Sequence, residues 1–259
     1  MKGGIIMIQT KPTEKLTGVT IQGDYDDFYQ LTEAFHNAAG FEQVPKDPYY
    51  SVAIRVLGVC YDIRKAYQGD RDVVLIDNGM HEESMKQHGL ITPKQNVYYS
   101  VNILFPEALF TAMSVKELLQ TVRPRIGRKN AEAWERTYSQ AMFLRDKAVI
   151  RMFCAGIWEA FADVTGNDEA DRIIRLYQKT DESYYQYVSS FIDKLNVEYL
   201  KTGGDKRADK LRSIARRIAK KPDSYYRLEE DLKYQAKEYG TTIHDVAEAD
   251  IEYPEEIIW

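Results

Sequence analysis

The feature that most constrains this fold is a change in the spacing of apolar residues near Phe105. Before that position, short segments either alternate between apolar and polar residues or form brief apolar runs bounded by turn residues, as β-strands do. After it, apolar residues recur at helical spacing almost to the C-terminus. The pattern predicts an α+β fold, in which a mostly antiparallel sheet with two helices is followed by a helical half.

Four strands are predicted in the first half, over residues 5–9, Gly18–Gly23, Asp72–Asp77 and Val97–Phe105. The segment "DVVLID" is a four-residue apolar run between charges, which is typical of a central strand. The segment "VYYSVNILF" alternates, which is typical of a strand with one buried face. The polar stretches between these strands, at 11–15 and 80–96, are predicted to be connections.

Two helices are predicted between the strands. The first begins after Asp24, a suitable N-cap, and ends at Gly40. The second, over Ser51–Tyr67, is apolar nearly all round and ends near Gly69, so we expect it to be the most buried helix of the first half.

The second half is predicted to be helical throughout. Helices are expected over residues 106–121, 130–164, 168–200, 206–220 and 224–239. The segment "TVRPRIGRKN" contains Pro124, Gly127 and four basic residues, and it marks the expected boundary between a domain at 1–122 and a helical domain with an acidic C-terminal tail at 123–259.

Charge and cysteine usage exclude several classes of protein. A net charge of -5 gives no global case for a nucleic-acid partner. The two cysteines form neither a disulfide framework nor a zinc motif, and no metal or cofactor is predicted. No apolar run approaches the length of a membrane helix, so we expect a cytoplasmic protein without a membrane partner.

Arg55 and Asp62 are the best candidates for a buried polar site. They are seven positions apart on one side of the apolar helix, and Gly58 lies between them. Because a buried charge needs a partner, one interpretation is ion pairing with neighbouring strands or with the second half. The alternative is a polar pocket beside the helix, on which some of these residues converge: Asp24, Asp62, Arg64, Asp70 and Arg71.

A second charged feature is the helix predicted over 206–221, where eight basic residues face two acids between Asp205 and Lys221. This surface suits nucleic-acid phosphates or an acidic partner. Alternatively, carboxylates from 229–256 neutralise Arg212, Arg216 or Arg217. Trp259, at the end of the acidic tail, is then expected to pack on protein.

Two stretches of the first half carry a resemblance. "LTGVTIQGDYDD" and "VLGVCYDIRKAYQGDR", followed by "DNGM", resemble a family of small bacterial proteins of unknown function. The resemblance implies an α+β fold and a bacterial cytoplasmic origin, and it brings no reaction with it.

The sequence favours a non-catalytic module that binds a protein partner or a second copy of itself. The expected binding residues are Arg55, Arg64, Arg212, Arg216, Arg217 and Trp259. One alternative is a metal-dependent hydrolase of nucleic acids that uses Asp24, Asp62 and Asp70 around a divalent ion, with Arg71 as a further candidate. Another is a nucleic-acid binder that uses the 206–221 helix.

Overall fold

The structure is a computed structural model that describes residues 8–40, 47–122, 138–179, 184–246 and 251–259. Strands and helices are interspersed up to Leu104, and in the described residues after it every regular element is a helix. The predicted α+β fold is therefore confirmed. No helix within these ranges is both long and apolar enough to cross a membrane.

The sheet has four antiparallel strands in the order β1-β2-β4-β3. Their bounds are Gln9–Pro12 for β1, Gly18–Gly23 for β2, Asp72–Asp77 for β3 and Gln95–Leu104 for β4. Ile21 pairs with Val101, and both side chains lie on the face that the helices cover. β1 overlaps the strand predicted over 5–9 at Gln9 and continues into the segment predicted to be a connection, at Lys11 and Pro12. Residues 5–7 of the predicted strand lie outside the described residues.

The position of β3 corrects the prediction of a central strand. β3 pairs with β4 at the edge of the sheet, and Val73 and Leu75 are 53% and 57% exposed. A four-residue apolar run shows strand propensity, but it does not show whether a second strand or a helix will cover it.

Four helices accompany the sheet: α1 over Tyr25–Ala39, α2 over Tyr50–Lys65, α3 over Glu82–His88 and α4 over Phe105–Val122. Asp24 caps α1 as predicted, by accepting a hydrogen bond of 2.8 Å from the backbone N–H of Asp27. A π-helical turn follows α2 and contains Gly69 at φ 89°, in the left-handed region that favours glycine. α3 interrupts the segment predicted to be a connection.

The expectation that α2 is the most buried helix of the first half is wrong. Ile54 and Tyr61 are 44% and 48% exposed, and with Gly58 they form a solvent-facing stripe on α2. Seven of the sixteen residues of α2 are buried, which is no larger a share than the seven of fifteen in α1. α4, the helix predicted over 106–121, is more deeply buried than either, with fourteen of its eighteen residues buried. It lies at the centre of the molecule, where helices from both halves pack around it.

Within the described residues, five α-helices follow α4: α5 over Gln140–Thr165, α6 over Asn167–Lys179, α7 over Ser190–Leu200, α8 over Arg207–Ala219 and α9 over Asp223–Tyr239. The single helix predicted over 168–200 is two helices, α6 and α7. The first part of the helix predicted over 130–164 lies outside the described residues.

One hydrophobic core includes residues of both halves. Phe35 of α1 packs edge-on against Phe153 of α5, with 5.3 Å between the ring centroids. The predicted domain boundary falls at the edge of 123–137, outside the described residues, so the division into two domains stays a prediction.

Candidate functional site

An open cleft of about 1190 Å³ lies between α2, the end of β4, the start of α7 and the C-terminal segment 251–259. Gly58 leaves room on the α2 side, because a Cβ there would meet no atom within 4 Å. Ile257 and Trp259 add apolar surface on the opposite side. This volume is slightly above the range of about 300–1,000 Å³ that is usual for small-molecule sites.

The floor of the cleft includes an unpaired strand edge. β3 begins with Asp72 opposite Ser100, so β4 continues past the end of β3 over residues 101–104. Phe105 donates its backbone N–H to Thr17 O on the β2 side, at 3.3 Å. Because backbone groups alternate in direction along a strand, the N–H and C=O groups of Asn102 and Leu104 point away from β2. Among the described residues, no strand pairs with this edge.

Arg55 is the buried cation of the cleft. Its side chain is 12% exposed, and its Nη1 lies 2.5 Å from Glu107 Oε2 in α4. Nη2 pairs with Asp193 of α7 and donates to Ser189 O at 2.8 Å. Burial alone would lower the pKa of Arg55, but the charges of Glu107 and Asp193 hold it above its ordinary value. Arg55 thus ties α2 to the second half, as the ion-pair interpretation expected.

A polar network surrounds this ion pair. Asn196 Nδ2 donates to Glu107 Oε2 and to Tyr253 Oη, both at 3.1 Å. Tyr253 Oη in turn donates to Asp193 Oδ1 at 2.9 Å. Burial raises the pKa of Glu107, while Arg55 and Asn196 oppose that rise.

Asn196 leaves one acceptor of this network unused. The residue is 2% exposed, and its Oδ1 has no hydrogen-bond partner within the described part of the chain. A buried carbonyl oxygen without a donor costs about 1–3 kcal/mol. Asn196 lines the cleft, but this oxygen itself is buried beneath the cleft surface.

The rim of the cleft is acidic. Asp62 pairs with Arg71 at 2.9 Å, and Asp70 pairs with Lys65 at 2.8 Å. The lining contains two guanidinium groups, those of Arg55 and Arg71, and five carboxylates, those of Asp62, Asp70, Asp72, Glu107 and Asp193. With Lys65, which pairs with Asp70, the formal charge is −2. Such a cleft favours cationic ligands.

The cleft brings together most of the residues predicted to surround α2. Arg55, Asp62, Asp70, Arg71 and Trp259 all line it. The Trp259 ring lies against β2, with Cζ3 2.8 Å from the position that a Cβ of residue 18 would occupy.

Two predicted residues lie elsewhere. Asp24 caps α1, and Arg64 lies beside the Tyr61 ring, 5.3 Å from its centroid. The predicted set also missed Glu107, Asp193, Asn196 and Tyr253. The sequence places Asp193 and Asn196 three positions apart, on one face of a predicted helix, and this spacing could have indicated a shared polar site.

The three arginines of α8 predicted to bind a partner each have a carboxylate partner within the protein. Arg216 pairs with Glu169 of α6 and Arg217 with Glu198 of α7, each at 2.6 Å. Arg212 pairs with Asp209 at 2.6 Å, within α8 itself. The expectation that residues 229–256 supply these carboxylates is wrong for 229–246 and 251–256, because α8 packs beside α6 and α7, and 247–250 lie outside the described residues.

The cysteines and acidic residues provide no nucleophile or metal cluster. Cys60 Sγ lies 3.8 Å from His36 Nε2, but burial raises the pKa of the Cys60 thiol to about 12, so the sulfur stays protonated. Across the described ranges, no three His, Cys, Asp or Glu side chains are grouped so that they could hold a metal ion. Asp24, Asp62 and Asp70 therefore do not converge.

Comparison with known proteins identifies a family and no function. A family model described as a domain of unknown function, DUF6904, matches residues 8–259. No curated protein and no solved structure matches the chain.

Proposed function

The chain belongs to the DUF6904 family, and we propose that it is a protein-binding module without catalytic activity, which takes up an extended basic segment of a partner protein in the cleft beside α2. The observation that carries the proposal is the unpaired edge of β4 at the floor of an acidic cleft. The resemblance noted above supports a bacterial cytoplasmic setting.

Strand addition is the binding mode that suits this edge. An extended peptide can form main-chain hydrogen bonds with the outward N–H and C=O groups of Asn102 and Leu104. Those bonds supply affinity irrespective of sequence, and the side chains of the peptide supply specificity. β3 already uses the same edge of β4 up to Ser100, so a bound segment would extend the sheet in line with it.

The charge of the cleft selects the side chains of that segment. Arg55 is fully engaged by Glu107, Asp193 and Ser189, so it positions the network and is not available to a ligand. Asp62 and Asp72 at the rim are accessible to a lysine or arginine of the partner. Trp259 offers an apolar contact.

The test is a selection of short random peptides on the protein, followed by affinity measurements on two variants of one residue. Gly58→Ala leaves the cleft open, whereas Gly58→Trp places a large ring in it, at a position where an added Cβ meets no atom within 4 Å. Both substitutions remove a helix-interior glycine, so both variants are expected to fold. We expect the selected peptides to be rich in Lys and Arg, to bind Gly58→Ala normally and to lose most of their affinity for Gly58→Trp.

Amide exchange tests the binding mode. A bound peptide should slow hydrogen exchange at the N–H groups of Asn102 and Leu104. Peptides without a basic preference, or peptides that bind Gly58→Trp as tightly as the parent, would contradict the proposal.

The two alternative functions have less support. The hydrolase alternative needs Asp24 beside Asp62 and Asp70, and Asp24 caps a different helix. The nucleic-acid alternative needs an uncompensated basic face on α8, and Arg212, Arg216 and Arg217 each have a carboxylate partner.

A further inference from the structure

A second cleft, of about 600 Å³, lies between α4, α5 and α6 on another part of the molecule. Its walls contain the apolar side chains of Val115, Leu119, Phe143, Ile150 and Trp158, and two neutral amides, Gln120 and Gln178, also line it. Among the residues that line it, the only charged side chains are Lys116, Lys147 and Arg151. Three cations and no anion on an apolar surface are unusual for a structural groove, because solvated charges are generally compensated by neighbours of opposite sign.

The three cations are placed around the apolar walls. Lys116 Nζ lies 4.0 Å from the centroid of the Tyr177 ring, and Lys147 Nζ lies 6.0 Å from that of Phe143. None of the three makes an ion pair within the described ranges. Burial lowers the pKa of Lys116, and the charge of Glu117 opposes this effect. A ligand anion would therefore replace water at ammonium and guanidinium groups that lack a carboxylate partner.

The neutral polar groups of the cleft add no competing negative charge. Tyr177 donates its hydroxyl to Met113 O at 2.7 Å, so this hydroxyl is already used by the fold. Cys154 lines the wall as a thiol, because burial raises its pKa to about 12. The cleft thus combines apolar side chains with three cationic groups, and no carboxylate lines it.

We propose that this cleft binds an amphipathic anion, a carboxylate with an apolar body, with its acid group at Lys116, Lys147 and Arg151 and its body against the walls of α4 and α5. The cleft volume lies within the range of small-molecule sites. Ion pairs with the head group and burial of an apolar body are both needed, since exposed pairs alone contribute only about 0–1 kcal/mol each.

Dodecanoate is a suitable probe, and titration calorimetry of the full chain below the micellar concentration is the measurement. Two comparison ligands separate the contributions: dodecyltrimethylammonium has the same chain with the opposite charge, and acetate has the head group without the chain. We expect one molecule of dodecanoate to bind per protein chain, with no measurable binding of either comparison ligand.

Variants then locate the site. Lys147→Gln and Arg151→Gln should each weaken dodecanoate binding about threefold to fivefold, because each removes one ion pair with the head group. Lys179→Gln makes the same charge change at the end of α6, outside the cleft, and should leave the affinity unchanged.

Three results would overturn the proposal: no binding of dodecanoate, equal binding of dodecyltrimethylammonium, or equal losses in the Lys147 and Lys179 variants. Thermal melting of each variant shows whether a loss of binding reflects a loss of fold.

Discussion

At the scale of single residues, the start of α1 combines a stabilising cap with an unfavourable charge. Asp24 and Asp27 each accept a hydrogen bond from the backbone N–H of the other, at 2.8 and 3.4 Å. Burial, followed by the charges of Asp24 and Asp26, raises the pKa of Asp27 from 3.8 to about 6. Two carboxylates are therefore held close together in a partly buried cap.

This arrangement predicts a pH-dependent effect of Asp27→Asn. Between 3.8 and about 6, the folded state binds a proton at Asp27 more tightly than the unfolded state does. Stability from this group is therefore present at low pH and is lost as the pH rises through about 6. The variant does not titrate, so its melting temperature relative to the parent should be higher at about pH 7.5 than at about pH 4.

Asp26→Asn is the matched control, because Asp26 lies in the same helical turn and is exposed. The same relative change in melting temperature at both pH values for Asp27→Asn would show that this carboxylate does not titrate between them.

At the scale of elements, β3 is the least protected strand of the sheet. It lies at an edge, and Val73, Leu75 and Val97 of β4 expose about half of their surfaces. An exposed apolar edge is a template for pairing with another chain. A second copy of β3 would satisfy its backbone groups and cover these side chains.

We therefore predict that Leu75→Lys lowers self-association. Light scattering across a concentration series should show the parent associating at concentrations at which the variant remains monomeric. The substitution lies at a position that is 57% exposed, so the free energy of unfolding should change by only about 0.5 kcal/mol. A parent protein that stays monomeric at every concentration would contradict this prediction. Val101→Lys makes a similar change at a buried position and, unlike Leu75→Lys, should unfold the protein.

At the scale of the whole molecule, the C-terminal segment 251–259 joins distant elements. Tyr253 contacts Asp193 and Asn196 of α7. Thr17 donates to Ile258 O at 2.6 Å, next to the Trp259 ring against Gly18. The segment therefore holds β2 and α7 together around one side of the acidic cleft.

Removing residues 251–259 should lower the free energy of unfolding by about 2–4 kcal/mol, since it removes buried apolar surface and leaves polar partners unsatisfied. Chemical denaturation measures this change. Trp259→Ala should account for about 1–2 kcal/mol of it, because the ring is partly buried. Ile258→Ala, at a side chain that is 66% exposed, should have little effect. Unchanged stability of the truncated chain would mean that the segment does not support the fold.

The amino-acid sequence by itself determined the features that depend on neighbours along the chain. The cap at Asp24, the glycine endings at Gly40 and Gly69 and the apolar stripe of α8 are all found where the pattern predicted them. Each depends on hydrogen bonds or periodicity within a few residues, so local propensity is sufficient to specify it. The candidate residues Arg55 and Asp62 also emerged from helical spacing alone.

Only the tertiary structure decided which groups meet. Arg55 pairs with Glu107, 52 positions away, and with Ser189, 134 positions away. The edge position of β3, the carboxylate partners of α8 and the unpaired end of β4 are likewise set by which elements pack beside one another. The sequence shows that a buried charge requires a partner, but any suitably placed carboxylate can compensate the free-energy cost of burying Arg55. The choice among them depends on long-range packing, which local patterns do not encode.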